Sequence, residues 1–174
     1  MEPVFDVSAF RQALGQFPTG VCVVTSVIGM DKIGVTISSF NSLSFDPPLI
    51  LFSIDNRAAS LPLWTKAEGY TINVLSENQT DLSSRFSRPL TNKWEGIACQ
   101  LKAGCGLVLP GAAALFHCTR WAVHEGGDHL LFIGKVNSFL SFRDRRPLVF
   151  SRGRYAALES EVNDEASWPL AIHY

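Results

Sequence analysis

The side chains best able to hold a ligand fall within one stretch, residues 34–60. From Val35 to Phe45 apolar and hydroxyl residues alternate, which is strand periodicity with one polar face. Thr36, Ser38, Ser39, Asn41 and Ser42 supply more hydroxyl and amide groups than a purely structural strand requires. A flat, polar ligand with many acceptors would account for them. Asp46-Pro47-Pro48 interrupts the ladder, because neither proline has an N–H to donate. Leu49 to Ile54 resumes as a β-rich run and leads to a loop holding Arg57 and Ser60. Ser60 fits the N-cap of a short helix reaching about Ala67, with Pro62 in its first turn. The free N–H groups of such a helix start, beside the planar fork of Arg57, suit a phosphate. A plain hairpin followed by a capped surface helix would give the same pattern, and the residues alone leave both readings open.

The elements that must position these groups follow from periodicity. Ser8 to about Phe17 reads as a helix capped by Ser8, with Phe10, Ala13, Leu14 and Phe17 on one face. Val21 to Val27 reads as a buried strand, and Gly29 to Gly34 as a reversing turn. Tyr70 to Leu75 is a further strand. Thr80 to Phe86 is a second short helix, opened by Asn78 or Thr80 and bearing Arg85 near its end. Residues 87–111, rich in Gly and Pro, read as a long connection with at most brief strands. Lys93 and Trp94 stand out there, although an exposed lysine and a packing tryptophan are the plainer reading. Ala113 to His124 and Leu130 to Leu140 are the longest strands, joined through Gly126-Gly127-Asp128-His129 in a tight hairpin. Pro147 to Ser151 is the last strand. Many short strands, few helices and no βαβ alternation point to a mainly β fold, an antiparallel barrel. Residues 159–174 turn acidic and lose periodicity, which reads as a mobile tail whose Trp168, Pro169, Leu170 and Ile172 could dock elsewhere.

Composition narrows the class. With 174 residues, 47% hydrophobic and 18% charged, the chain is one globular domain. A net charge of −1 gives no electrostatic footprint for nucleic acid or an anionic membrane. No run approaches the roughly 18 apolar residues of a membrane span. The start, Met-Glu-Pro-Val-Phe-Asp, lacks a basic region before an apolar core, so a cytoplasmic location is expected. Cys22, Cys99, Cys105 and Cys118 form no C-x-x-C pair and read as free thiols in a reducing compartment.

The ordered motifs resemble the flavin reductase-like family. They begin with Phe17-Pro-Thr-Gly-Val21, Thr36-Ile-Ser-Ser-Phe40 with Ser42, Ser44 and Asp46-Pro-Pro48, Arg57-Ala-Ala-Ser60 and Asn73-Val-Leu75. They continue with Arg85-Phe86, Lys93-Trp94, Gly127-Asp-His129, Ile133-Gly134-Lys-Val136 and Arg152-Gly-Arg-Tyr155. The resemblance implies a split β-barrel of the FMN-binding type, antiparallel and Greek-key, over residues 1–158, with 159–174 as an acidic tail. It implies a homodimer that moves hydride from NADH or NADPH to FMN or FAD and passes reduced flavin to a partner monooxygenase acting on a phenolic or other aromatic substrate. Thr36, Ser38 and Ser39 would meet the isoalloxazine edge, largely through backbone groups. Ser53, Arg57 and Ser60 would lie along the ribityl and phosphate end, with Arg85 or Lys93 as a further basic contact. His129 would stand by the nicotinamide, whereas His117 and His124 are read as structural. Trp94 stands where the family commonly has phenylalanine, and Ile37 where it has a small residue.

The rest of the sequence is compatible with such chemistry, which the two cofactors carry between them. There is no G-x-S-x-G elbow, no histidine spacing for a metal and no G-x-G-x-x-G opening a βαβ unit. Three other readings compete: a flavin-retaining electron carrier or sensor on the same barrel, a split-barrel oxidase of a phosphorylated pyridine, and a non-catalytic interaction barrel. The Gly127-Asp128-His129 motif argues against the second, and the hydroxyl strand with its Arg57 loop against the third.

Overall fold

In the computed structural model, residues 5–89 and 92–158 are described. The acidic tail and its Trp168 to Ile172 lie outside them. Three helices and twelve strands are found among the described residues. Helix α1 spans Val7–Leu14, followed by strands β1 (Thr19–Gly20), β2 (Cys22–Ile28), β3 (Asp31–Ile37), β4 (Asn41–Phe45) and β5 (Pro48–Asp55). Helix α2 (Leu61–Trp64), β6 (Gly69–Val74) and α3 (Thr80–Phe86) come next. The chain continues with β7 (Gln100–Lys102), β8 (Gly106–Val108), β9 (Ala114–Gly126), β10 (His129–Ser141), β11 (Val149–Ser151) and β12 (Arg154–Ala156).

Seven strands form one antiparallel sheet in the order β3-β2-β6-β9-β10-β5-β4. Its two edge strands, β3 and β4, are consecutive in the chain, so the sheet curls into a split β-barrel whose seam is the step 38–40. The expected single strand from Val35 to Phe45 is therefore two strands with a break at Ser38-Ser39-Phe40. Ser39 holds that break against β5: its Oγ accepts from the Ser53 N–H at 3.0 Å and donates to the Ser53 carbonyl at 3.3 Å.

Two cores flank β2, which explains why Cys22 to Ser26 are all buried whichever face they point to. Cys22 and Val24 face the barrel interior with Phe52, Trp64, Tyr70 and Phe132. The Phe52 and Phe132 rings stack at 5.2 Å, with Tyr70 edge-on to Phe52 at 5.1 Å. Val21 and Val23 face the other way, against Phe86 of α3, Leu75, Leu109 and Leu148. Burial pushes the Cys22 and Cys118 thiols up to about 12, so both stay protonated and inert at neutral pH.

Several sequence expectations shift. Asp6, not Ser8, caps α1 by accepting from the N–H groups of Ser8 and Ala9. The helix ends before Phe17 and none of its residues is buried. Gln79, rather than Asn78 or Thr80, occupies the N-cap of α3. Strand β12 follows β11 through Arg152-Gly153, both at positive φ, a reversal the sequence reading ended one strand too early.

Candidate functional site

Two adjoining hollows open beside β3. The first, about 330 Å³, is lined by Thr36, Ser38, Ser83, Ser87, Phe150 and Tyr155 among others. The second, about 430 Å³, runs from Lys32 to Val35 across to Ala59, Ser60, Phe86, Arg88, Lys93 and Trp94. Ser87 lines both, so the two form one trough around the end of α3. Each part falls in the range of small-ligand pockets, roughly 300 to 1,000 Å³.

Helix periodicity decides which α3 side chains reach the trough. Ser83, Phe86 and Ser87 share a face, with the Phe86 ring fully buried against β3. Gly34 makes this close packing possible, since a Cβ there would lie 2.6 Å from that ring and 3.1 Å from Trp94. Arg85 turns to the opposite side, where it lines a separate hollow with Asp81 and Leu82 and donates to the Glu95 carbonyl at 2.8 Å. Arg88, just past the helix, is the arginine that borders the second hollow.

Thr36 donates its hydroxyl to the Ser83 carbonyl at 2.7 Å, and Tyr155 donates its own to Ser83 Oγ at 2.9 Å. Ser38 is exposed with no such tie among the described residues and lines the first hollow, and residues 38–40 lie outside the β3 ladder. Ser53 lies on the outward-facing register of β5, between the inward Phe52 and Ile54. Residues Ser83, Ser87, Arg88 and Tyr155 were absent from the sequence-based candidates. The i, i+4 spacing of Ser83 and Ser87 was the available signal, together with Tyr155 in its own motif.

Lys93 is half-buried and donates its Nζ to the carbonyls of Phe86 at 3.3 Å and Gly34 at 3.5 Å. Burial lowers its pKa, and no ion pair among the described residues involves it. Trp94 fixes the same loop, donating Nε1 to the Lys32 carbonyl at 2.9 Å and standing edge-on to Phe86 at 4.9 Å.

The loop after β5 differs from expectation. Ser60 occupies the N-cap of α2 but makes no side-chain capping bond; its Oγ accepts instead from Trp64 Nε1 at 3.2 Å. With four residues, α2 is too short to present the expected anion-binding start, although Ser60 does border the second hollow. Arg57 closes a fork on Asp55, Nε to Oδ1 at 3.1 Å and Nη2 to Oδ2 at 2.7 Å, with its side chain 81% exposed. The Arg57 hydrogen bonds hold the Asp55 carboxyl well below its usual range. With the folded value depressed, the fork is complete above the ordinary Asp range and is lost only as pH falls through the lower folded value.

His129 opens β10 opposite Asp55. Asn56 stitches the two loops, donating its N–H to the Asp128 carbonyl at 2.9 Å and its Nδ2 to the Gly127 carbonyl at 3.2 Å. His129 Nδ1 lies 2.7 Å from the Asp128 carboxylate, which that bond holds below its usual pKa. The structure thus brings His129 to the Arg57 loop and joins Thr36, Ser38, Ser60 and Lys93 along the trough, while Arg85 stands apart. No group of three His, Cys, Asp or Glu side chains among the described residues could hold a metal ion.

Comparison with known proteins follows the same outline. The flavin reductase like domain matches residues 14–159. The NADH-dependent FMN reductase SmoA of Agrobacterium fabrum is 40% identical over 147 residues, covering 84% of this chain and 83% of its own. The reductase subunit HsaB of a flavin-dependent monooxygenase from Rhodococcus jostii is 34% identical, over 94% of this chain and 84% of its own. Among solved structures, the NADH:FAD oxidoreductase SgcE6 of Streptomyces globisporus, in complex with NAD and FAD fragments, superposes with a TM-score of 0.86 at 30% identity. That match covers 91% of this chain and 96% of the other.

Proposed function

Since the chain belongs to the flavin reductase like family, we propose that it supplies reduced flavin to a separate flavin-dependent monooxygenase whose substrate is phenolic or otherwise aromatic. It is an NAD(P)H-dependent flavin reductase, with FMN or FAD as the flavin. Residues 1–158 act as one domain, and the protein works as a homodimer in the cytoplasm. No helix among the described residues is long and apolar enough to cross a membrane.

One observation carries the reading: a hydroxyl-lined hollow adjoining one that holds a half-buried lysine with no ion pair among the described residues. A ligand flat and polar at one end and anionic at the other fits both halves. The backbone of Thr36, Ser38 and Ser39 borders the isoalloxazine edge. Ser53 and Ser60 follow the ribityl chain, and Lys93 receives the phosphate. Arg57 holds its fork to Asp55 in the loop before Ser60, and Arg85 lines a separate hollow across α3.

Bound flavin supplies the hydride-accepting ring, so the protein has to bind, orient and exclude water. His129 orients the donor. A carboxylate can only accept, so the Asp128 bond assigns the proton to Nδ1 of the neutral ring. Nε2 is then an acceptor for the carboxamide N–H of the nicotinamide.

Anaerobic NADH oxidation, with riboflavin, FMN and FAD titrated in turn, tests the whole reading. Added flavin is expected to accelerate oxidation and to leave the protein reduced. If flavin instead co-purifies at full occupancy and free flavin has no effect, the protein is a flavin-retaining carrier or sensor. A chain that binds no flavin under these conditions is not a reductase.

A further inference from the structure

Four ionisable side chains meet where β5 ends and β10 begins: Asp55, Arg57, Asp128 and His129. Asp55 closes β5 directly opposite His129, which opens β10. Paired residues share a face of the sheet, so their Cβ atoms lie about 5 Å apart. Asp128 reaches the imidazole from its own turn, 2.7 Å from Nδ1. On β9, Gly126 stands opposite His129 and His124 two residues further along the same face, while Glu125 between them faces the other way. Two carboxylates therefore flank the ring. Asp55 is the one that is neutralised: the Arg57 N–H and Nε both donate to Oδ1, at 2.7 and 3.1 Å, and Nη2 donates to Oδ2 at 2.7 Å. Asp55 has no other ion-pair partner among the described residues. These Arg57 bonds hold its carboxyl well below the usual range, and the nearby His129 adds to them. Arg57 itself lines neither hollow of the trough.

From this arrangement we propose that Arg57 is a positioning residue for the hydride donor: by neutralising Asp55 it keeps the His129 imidazole uncharged, with Nε2 free to accept from the nicotinamide carboxamide. This rests on the flavin reductase reading and on the donor-orienting role of His129, and adds to them what fixes the charge of the ring. A carboxylate beside an imidazole favours the charged form, and a second carboxylate favours it more. The charged ring has a hydrogen on both nitrogens, so its Nε2 would meet the carboxamide N–H as one donor against another. Asp128 is needed as an acceptor on Nδ1, where it sets the tautomer. The compensating cation is accordingly placed on the other carboxylate. Arginine suits that task, since its guanidinium stays charged throughout the working range and its planar fork takes both oxygens together.

The test compares the full chain with Arg57→Gln, with Arg57→Lys and with Arg57→Gln combined with Asp55→Asn. NADH kcat/KM is measured against pH in anaerobic turnover at saturating riboflavin, and riboflavin and FMN dissociation constants come from fluorescence quenching. His129→Ala, which has no imidazole, identifies the acid limb that belongs to the ring. In Arg57→Gln the uncovered Asp55 is expected to move that limb up by about half to one pH unit, a shift that added salt shrinks. On the limb itself this is an about three- to ten-fold lower kcat/KM at a given pH. Both flavin dissociation constants should stay within about two-fold of wild type, because Arg57 is held by Asp55 and not by a ligand. Removing both charges in the combined variant should return the limb to its wild-type position, and Arg57→Lys should keep most of it there. A limb that does not move in Arg57→Gln, or one that stays displaced in the combined variant, would overturn the proposal. So would weaker FMN with unchanged riboflavin, which would put Arg57 on the phosphate. If His129→Ala leaves the wild-type acid limb in place, the histidine role falls and this proposal with it. Wild-type protein that oxidises no NADH with any flavin would instead remove the reductase reading beneath both.

Discussion

His129 carries one hydrogen bond whose direction its partner dictates. Because Asp128 accepts on Nδ1, the free face of the imidazole is fixed before any substrate arrives. His129→Ala is therefore expected to raise the NADH KM several-fold while the flavin dissociation constant stays near wild type. Asp128→Asn should produce a smaller change of the same kind, since the ring remains but its tautomer is no longer imposed. Steady-state kinetics at saturating flavin separate the two parameters, and an unaltered NADH KM in His129→Ala would remove the role. At this scale the sequence was partly legible. The hydroxyls of residues 36–39 and Lys93 stand out by type, but type does not reveal commitment. Thr36 and Ser39 spend their hydroxyls on Ser83 and Ser53, and Arg57 spends its fork on Asp55, two residues away in the chain. Such ties depend on which strands and turns meet, and no local spacing encodes that.

Among the elements, α3 and β3 set the width of the trough, and Gly34 sets their separation. A methyl there would meet Phe86 Cε1 at 2.6 Å and Trp94 Cζ2 at 3.1 Å, so the rings would have to shift to admit it. Gly34→Ala is expected to cost about 1–3 kcal/mol, the usual range for an overpacked core. It should also displace Ser83 and Ser87 from β3 and weaken flavin binding. Denaturant midpoints and flavin titration check both. A variant with wild-type stability and affinity would show that α3 is not held by this contact. Helix α3 itself was legible in the sequence at its observed bounds, Thr80–Phe86. The β7–β8 hairpin was not. Its anchors are buried polar side chains inside strands: Thr25 Oγ1 donates to the Leu107 carbonyl at 2.6 Å, and Asn73 Nδ2 to the same carbonyl at 3.1 Å. Asn73 Oδ1 also accepts from the Leu109 N–H at 2.8 Å. Polar residues in a strand read as a solvent face until a backbone arrives from more than thirty residues away to satisfy them.

For the whole molecule, the apolar surface argues for a second copy. Helix α1 buries none of its residues, with Phe10 48% and Leu14 58% exposed. Eight residues are too few to hold a helix in water without packing. On the barrel, Phe139 is 66% exposed and stacks on Phe116, which in turn meets Phe40, while Trp121 and Leu140 are each 53% exposed. A chain with two such exposed apolar faces among its described residues is expected to sediment at micromolar concentration as a species twice its 19.1 kDa mass. Its melting temperature should rise with concentration, as linkage requires of a dimer. Phe139→Asp with Leu140→Asp is expected to shift the protein toward monomer. The shift should reach the trough, because Gly15 at the end of α1 accepts from the Arg152 N–H at 3.0 Å in the turn that leads to Tyr155. Weaker flavin binding in the monomeric variant, recovered at high protein concentration, would tie assembly to the site. A wild-type chain that stays monomeric at hundreds of micromolar would leave both apolar faces without a second copy to cover them.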